Sequence, residues 1–303
     1  MGINSGNIRL LMREGNRKKF SGRVLQLGRQ EVLATEQSIK KISEEENFNL
    51  SEPSEDIGQG KSKFSDAVTV NDKYFFQSLG FEIVDSLDVS TFEGANVIHD
   101  LNKLLTKELK NRATYDLIYD GGTMEHIFHI PNILKNIFDL LSVDGRIIHV
   151  NPINLLNHGL YNFSTCFYED FYSANGFSIN ECGVIKVPNV SWNGNHYYIS
   201  GDKNSQFIRS INPGLLDGAS YLTHFIATKL HDSSGDRVPQ QGIYNMEQNS
   251  SDSVEEQGNS GLVYGNSPIK FIYNKLLGVP IFKPFFKFLR DKYANSLVKW
   301  EVI

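Results

Sequence analysis

Cysteine is nearly absent: Cys166 and Cys182 are the chain's two, among 303 residues, and no CxxC pair occurs. That argues against a disulfide framework or a cysteine zinc site, and a reducing, cytoplasmic setting is the expectation. Positive charge is also short. Thirty Lys and Arg against 35 Asp and Glu leave a net charge of −5. General nucleic-acid binding needs clustered cations to neutralise phosphates, so that function class is not expected. No apolar run approaches the roughly 20 residues of a membrane span. The opening Met1 to Asn7 is polar and has no signal-peptide core. Aromatic residues are plentiful instead, with 20 Phe and 13 Tyr to build a core.

The most informative stretch runs Tyr115-Asp-Leu-Ile-Tyr-Asp-Gly-Gly-Thr-Met-Glu-His126, then Asn132 to Leu141, then Gly145-Arg-Ile-Ile-His-Val-Asn-Pro152. It reads as a buried strand, a glycine turn, an amphipathic helix, a glycine stop and a second buried strand, which is one crossover of a parallel sheet. Ligands of open α/β sheets sit at the carboxyl ends of the strands. The loop Asp120 to Thr123 is therefore a ligand-facing loop.

Other segments follow the same alternation. Arg23 to Gly28, Glu82 to Val89 and Ala95 to Asp100 read as strands; Asp72 to Leu79 and Lys103 to Lys110 read as helices. Lys40 to Asp66 holds acids, Ser, Pro and Gly with little to bury, and is expected to be an exposed or disordered insertion. Phe167 to Ala174 reads as a helix. Phe177 to Val187 and Tyr221 to Leu230 are expected to close the sheet as an antiparallel edge pair. The expected organisation is a domain over 1–230, a flexible linker over 231–265 and an amphipathic helical tail over 266–303. That tail carries Lys270, Lys275, Lys283, Lys287, Arg290, Lys292 and Lys299 among aromatic residues. It suits a peripheral membrane or partner contact, or equally a helix packed on the domain with its lysines in water.

The strand ends in order carry Gly28, Asp88, Asp100 and Asp120. An acid after the second strand can accept bonds from ribose hydroxyls, and an acid after the third can meet an adenine amine. At these residues the chain resembles the class I S-adenosylmethionine-dependent methyltransferases, over roughly Arg23 to Val187. The resemblance implies an α/β fold: a Rossmann-like, doubly wound, mostly parallel seven-stranded sheet with an antiparallel edge strand. It implies S-adenosylmethionine as cofactor and a methyl acceptor, an O or N nucleophile of a small molecule or glycan precursor. The family's first-strand acid and G-x-G-x-G loop match Gln26, Gly28, Gln30 and Val32, so only the first glycine is kept. The ribose acid matches Asp88, with Asp85 as local competitor. The adenine side matches Asp100 and Leu101, and the loop after the fourth strand matches Asp120 and Gly121. Asp88 follows Gly28 by 60 residues, against the usual separation of roughly 20; the polar insertion accounts for most of the excess.

Each residue has a plainer reading beside the functional one. Asp88 and Asp100 also suit turns or caps at strand ends, and Gly121-Gly122 a tight turn. Glu125-His126 invites a metal reading, but adjacent helical residues point about 100° apart and the neighbouring sequence supplies no third ligand. A helix-start pair is the expectation, with no metal. His149 lies inside a buried strand and reads as a core histidine. His158, just past the fifth strand, suits a general base, with Asn151, Asn157, Tyr161 and Phe163 forming the substrate lip around it. A methyltransferase-like binding or scaffold protein without turnover is the competing function. A dinucleotide enzyme is disfavoured by the lack of GxGxxG after the first strand. The sequence leaves the oligomeric state open.

Overall fold

A computed structural model describes residues 2–54, 59–61, 68–188, 196–201, 218–241 and 301–303. The chain divides into two compact units, and the first comprises Met1–Ser205, Pro213–Pro239 and Trp300–Ile303. All the described residues but Gln240 and Gln241 belong to it. The aromatic, basic stretch before residue 300 lies outside the described residues, as do 55–58 and 62–67 of the polar insertion.

In chain order the elements are α1 (Ser5–Arg17), β1 (Arg23–Leu27), α2 (Glu36–Glu45), β2 (Gln59–Lys61), β3 (Val68–Val70), α3 (Asp72–Ser78), β4 (Ile83–Asp88), β5 (Val97–Ile98) and α4 (Lys107–Lys110). There follow β6 (Tyr115–Asp120), a 3₁₀ turn (Met124–His126), α5 (Ile130–Leu140), β7 (Leu141–Pro152), α6 (Thr165–Ala174), β8 (Ser178–Val187), β9 (Tyr197–Gly201), β10 (Ser220–Thr228) and β11 (Glu301–Val302). The main sheet has the order β11-β9-β8-β10-β7-β6-β1-β4-β5. From β5 to β7 the strands are parallel, in the reversing order of a doubly wound sheet whose switch point lies between β1 and β6. β10 runs antiparallel to both β7 and β8. This is the class I methyltransferase-like fold. β8 and β10 form the antiparallel pair expected, with β10 on the inner side against β7, and β9 and β11 extend that edge beyond the seven strands.

Both faces of the sheet are covered. Val24, Leu117, Tyr119 and Ile148 pack with Ile8, Met12, Ile39 and Phe76 of α1, α2 and α3. Leu25, Ile118 and Ile147 pack with Ile133 and Ile137 of α5 and Tyr168 and Tyr172 of α6. Neighbouring strand residues thus go to opposite cores, as the twofold period of a strand dictates. Arg146, on β7, is buried and held by Glu14 of α1 at 2.7 Å, with its guanidinium 4.6 Å from the Phe20 ring centroid.

Several local expectations are corrected. The start of the polar insertion is folded: α2 reaches Glu45, and Glu46 just past it binds Arg13 at 2.7 Å and Arg9 at 3.0 Å. The expected glycine stop lies inside β7, which starts at Leu141, and the positive φ there falls on Asp144 (63°) and not on Gly145. Gly145 is required instead because a Cβ there would lie 2.9 Å from the carbonyls of Ser142 and Tyr115. The segment after β10 is docked as far as Arg237. Asn175 receives the Arg237 amide on Oδ1 at 3.0 Å and donates from Nδ2 to the Arg237 carbonyl at 3.0 Å. Residues 301–302 form a strand and no helix, pairing with β9, and Ile303 is buried.

Candidate functional site

Register brings the strand ends to one edge. Leu27 lies opposite Leu87 on one side and Asp120 on the other; Asp88 lies opposite Ile98, and Asp120 opposite His149. The residues that follow, Gly28, Val89, His99, Gly121 and Val150, therefore open along a single line. That is the physical basis for a site assembled from segments far apart in sequence.

At the centre the β1 loop and the β6 loop are zipped together. Gly28 turns with φ +64°, and the Thr123 hydroxyl donates to the Leu27 carbonyl. Gln30 folds back, donating from Nε2 to the Leu27 carbonyl at 3.0 Å, and its Oε1 lies only 2.5 Å from where a Cβ on Gly121 would stand. Gln30 stands at the family's second-glycine position, so its side chain fills space that a glycine would leave. Gln26 is fully buried. Its Nε2 donates to Asp72 at 2.9 Å and its Oε1 accepts the Gln30 amide at 3.1 Å. Both ends of that amide are consumed within the protein, which makes Gln26 a support for the loop. Asp72 and Arg29 were not anticipated. Asp72, in the first turn of α3, brings a buried carboxylate beside Gln26 and is held by Arg29 at 3.0 Å. Arg29 also donates to the Glu93 carbonyl at 3.0 Å, spanning the gap between the β1 and β4 ends.

On the β4 side, Asp88 is half-buried at the strand's last residue and accepts the Val89 amide at 2.6 Å. Its competitor Asp85 is engaged with Arg23 at 3.0 Å, Tyr115 at 2.9 Å and Asn96 at 2.6 Å. Asp100 accepts from the amide and side chain of Asn102 at 3.0 and 3.1 Å, bonds that hold its carboxyl below the usual range. Leu101 has its side chain buried in the core with Leu25 and Leu105, leaving its backbone to meet a ligand.

On the other side of β1 lies a buried polar network. Asp120 is fully buried and accepts from four donors: Thr123 N (3.0 Å), Met124 N (3.2 Å), His149 Nδ1 (2.8 Å) and Asn151 Nδ2 (3.0 Å). Burial alone would raise its pKa, but His149, Thr123 and Asn151 together hold it below the ordinary value. Its carboxylate is thus occupied, and Asp120 organises the loop from within. His149 is the core histidine expected, its other nitrogen 2.8 Å from the Tyr172 hydroxyl. Asn151 also donates to Glu125 Oε2 at 3.0 Å and accepts from the Tyr168 hydroxyl at 2.5 Å. Being fully buried, Asn151 is removed from the substrate lip, as is Phe163, which packs against Phe167 and Tyr168.

Glu125 sits at the end of this network, fully buried. Burial, then the negative charge of Asp120, push its carboxyl up to about 7. The loop after β7 is pinned against it: the amides of Leu160 and Tyr161 donate to the Glu125 carbonyl at 2.8 and 3.2 Å. Gly159 permits that approach, since a Cβ there would lie 2.8 Å from Glu125 Cγ. The same loop carries His158 to Glu125, with Nε2 3.4 Å from Oε1. His126 and His158 stand edge to face with ring centroids 5.1 Å apart. Burial chiefly, with the neighbouring His126, lowers the His158 imidazole pKa. Tyr161 stays half-buried, donating to the Phe128 carbonyl at 3.0 Å. Beside it are the exposed apolar side chains of Phe128, whose ring centroid is 6.5 Å from that of Tyr161, and of the adjacent Leu160, which the sequence did not point to.

No protein-family model matches the chain, and no characterised protein matches it in sequence. Among solved structures, it is similar to the 1,6-didemethyltoxoflavin-N1-methyltransferase of Burkholderia thailandensis, bound to 1,6-didemethyltoxoflavin and S-adenosylhomocysteine. That match has 14% identity over 75% of this chain and 78% of the other, with a TM-score of 0.37. It is also similar to an O-methyltransferase of a trans-AT polyketide synthase multienzyme of Brevibacillus brevis, in complex with S-adenosyl-L-homocysteine. There the identity is 12% over 85% of this chain and 87% of the other, with a TM-score of 0.39. Likenesses of this size carry no weight beside the strand order, on which the fold assignment rests. Among the described residues no helix is long and apolar enough to cross a membrane.

Proposed function

We propose that the strand-end cleft binds S-adenosylmethionine and that the chain is a methyltransferase. Its acceptor would be an O or N nucleophile on a small molecule or glycan precursor. The observation that carries this reading is the placement of Asp88 and Asp100 at the ends of the adjacent parallel strands β4 and β5, both on one side of the Gly28 turn, on the edge where doubly wound folds take nucleosides. Asp88 suits ribose hydroxyls, and Asp100 with the Leu101 backbone suits an adenine edge. The methionine half fits less well. Gln30 lies over Gly121, Gln26 is consumed, and the carboxylate nearest the family's first-strand acid, Asp72, is already paired with Arg29. When bound, the cofactor supplies a methyl group on a sulfonium. The chain's own part would be to hold the acceptor beside the lip of Tyr161, Phe128 and Leu160, whose apolar surface favours a small molecule with an apolar body. With no ion bound, His158, whose imidazole pKa burial lowers, would be the group placed to take the acceptor's proton.

The filled β1 loop favours a second reading, a methyltransferase-like binding protein without turnover. Equilibrium binding of radiolabelled S-adenosylmethionine to the folded full chain separates the two. Saturable one-to-one binding supports the methyltransferase reading, and its absence supports the second.

A further inference from the structure

Glu125 and His126 come from the turn after β6, and His158 comes from the loop after β7. Sequence pairs Glu125 with His126 alone; the fold brings His158 to them. Glu125 is fully buried, yet its Oε1 has no hydrogen-bond partner among the described residues, and neither has the equally sequestered Nε2 of His158. The two atoms face each other at 3.4 Å, and His126 Nε2 lies 4.0 Å from the same oxygen. One ligand atom from each of the three residues falls within 4.8 Å of the others. Two atoms each about 2.1 Å from a shared ion stand about 3.0 to 3.4 Å apart in octahedral or tetrahedral geometry. The Glu125–His158 pair has the spacing of a ligand set, and the half-exposed His126 ring would close the remaining gap from 4.0 Å by a small side-chain rotation. A buried, unpartnered carboxylate oxygen is otherwise expensive to maintain.

We propose that Glu125, His126 and His158 bind a divalent first-row transition ion of the zinc, manganese or cobalt kind. Two imidazoles and one carboxylate suit these ions, whereas magnesium and calcium favour all-oxygen sets. Three protein ligands leave at least one coordination position open, and the His126 side chain is 46% exposed, so the triad is reached from solvent. The supporting structure is that of a held site. Asn151, itself fixed by Tyr168, orients Glu125 through Oε2 and leaves Oε1 to the ion. The Leu160 and Tyr161 amides clamp the His158 loop onto the Glu125 carbonyl. Such outer contacts fix ligand direction in metal sites. A metal-bound Nε2 accepts no proton, so this role and a general-base role for His158 exclude each other. The inference does not depend on the cofactor, because the ion's ligands are separate from Asp88 and Asp100.

The test is titration of the full chain, stripped by chelator and dialysed, with Co²⁺ followed by visible absorption and with Zn²⁺ by calorimetry. One ion per chain is expected. Glu125→Gln and His158→Ala should each weaken binding at least tenfold. His231→Ala, which removes an exposed imidazole elsewhere, should bind as wild type. Thermal melts by circular dichroism check folding; should Glu125→Gln fail to fold, His158→Ala and His126→Ala decide the matter. A wild-type protein that takes up no ion at millimolar concentration, or variants of the triad that bind like wild type, would overturn the proposal.

Discussion

The side chain of Gln30 rests on Gly121, so close that a Cβ on the glycine would lie 2.5 Å from Gln30 Oε1. Two loops that should part around a ligand are thereby in contact. Replacing Gln30 by glycine removes the plug and restores the family's second glycine. Gln30→Gly should tighten S-adenosylhomocysteine binding about tenfold, or about 1.4 kcal/mol, measured by calorimetry. Unchanged affinity would show that the side chain moves aside at no cost.

The pair of Glu14 and Arg146 joins α1 to β7 with both side chains under 5% exposed. Removing one partner leaves the other charge buried without its counter-ion. Glu14→Ala should lower unfolding free energy by about 3–5 kcal/mol, while the double change Glu14→Leu with Arg146→Met should recover most of it. Urea denaturation read by tryptophan fluorescence and circular dichroism checks both values. A single variant as stable as wild type would mean the pair is hydrated in solution.

His224 on β10 is buried beside Tyr198, Glu181 and Arg17, and burial lowers its pKa to about 4. In the unfolded chain the value returns to about 6.5. Between pH 6.5 and 4 the unfolded state therefore binds a proton that the folded state does not, and stability falls as pH falls through that window. The slope from this group is at most about 1.4 kcal/mol per pH unit. His224→Gln should flatten the stability profile between pH 6.5 and 4 relative to wild type. Parallel profiles for the two proteins would place the titration elsewhere.

Much of the sheet was legible because its signal is local. β6, α5 and β7 each carry their own period, so the strand from Tyr115, the helix in Asn132 to Leu141 and the strand in Gly145 to Pro152 were all located, although β7 starts earlier, at Leu141. What was missed is non-local. Nothing within Ser220–Thr228 says that it threads between β7 and β8, since that depends on which edge is open when the chain returns. β5 is only two residues long where Ala95 to Asp100 read as extended. Asp88 and Asp100 stand at the strand ends where the sequence put them. Gln26, Asp120, Asn151, Leu101 and Phe163 were identified by position alone, and the fold uses their side chains inside the protein. The Arg29–Asp72 pair and the approach of His158 to Glu125 join residues far apart in the chain, which no local pattern announces.

Asp88 and Asp85 make a matched contrast on one strand. Asp88→Ala should weaken S-adenosylmethionine binding at least tenfold, about 1.4 kcal/mol, with the melting temperature unchanged. Asp85→Ala strips Arg23, Tyr115 and Asn96 of a shared acceptor. It should lower the melting temperature and leave affinity alone. Reversal of the two outcomes would move the ribose contact off Asp88.

Co-crystallisation of the full chain with S-adenosylhomocysteine is the most direct measurement of the central claim. The account predicts ribose hydroxyls on the Asp88 carboxylate and the adenine edge at Asp100 and the Leu101 backbone. Density for the nucleoside away from the β1, β4 and β5 ends, or none at saturating ligand in a folded protein, would contradict it.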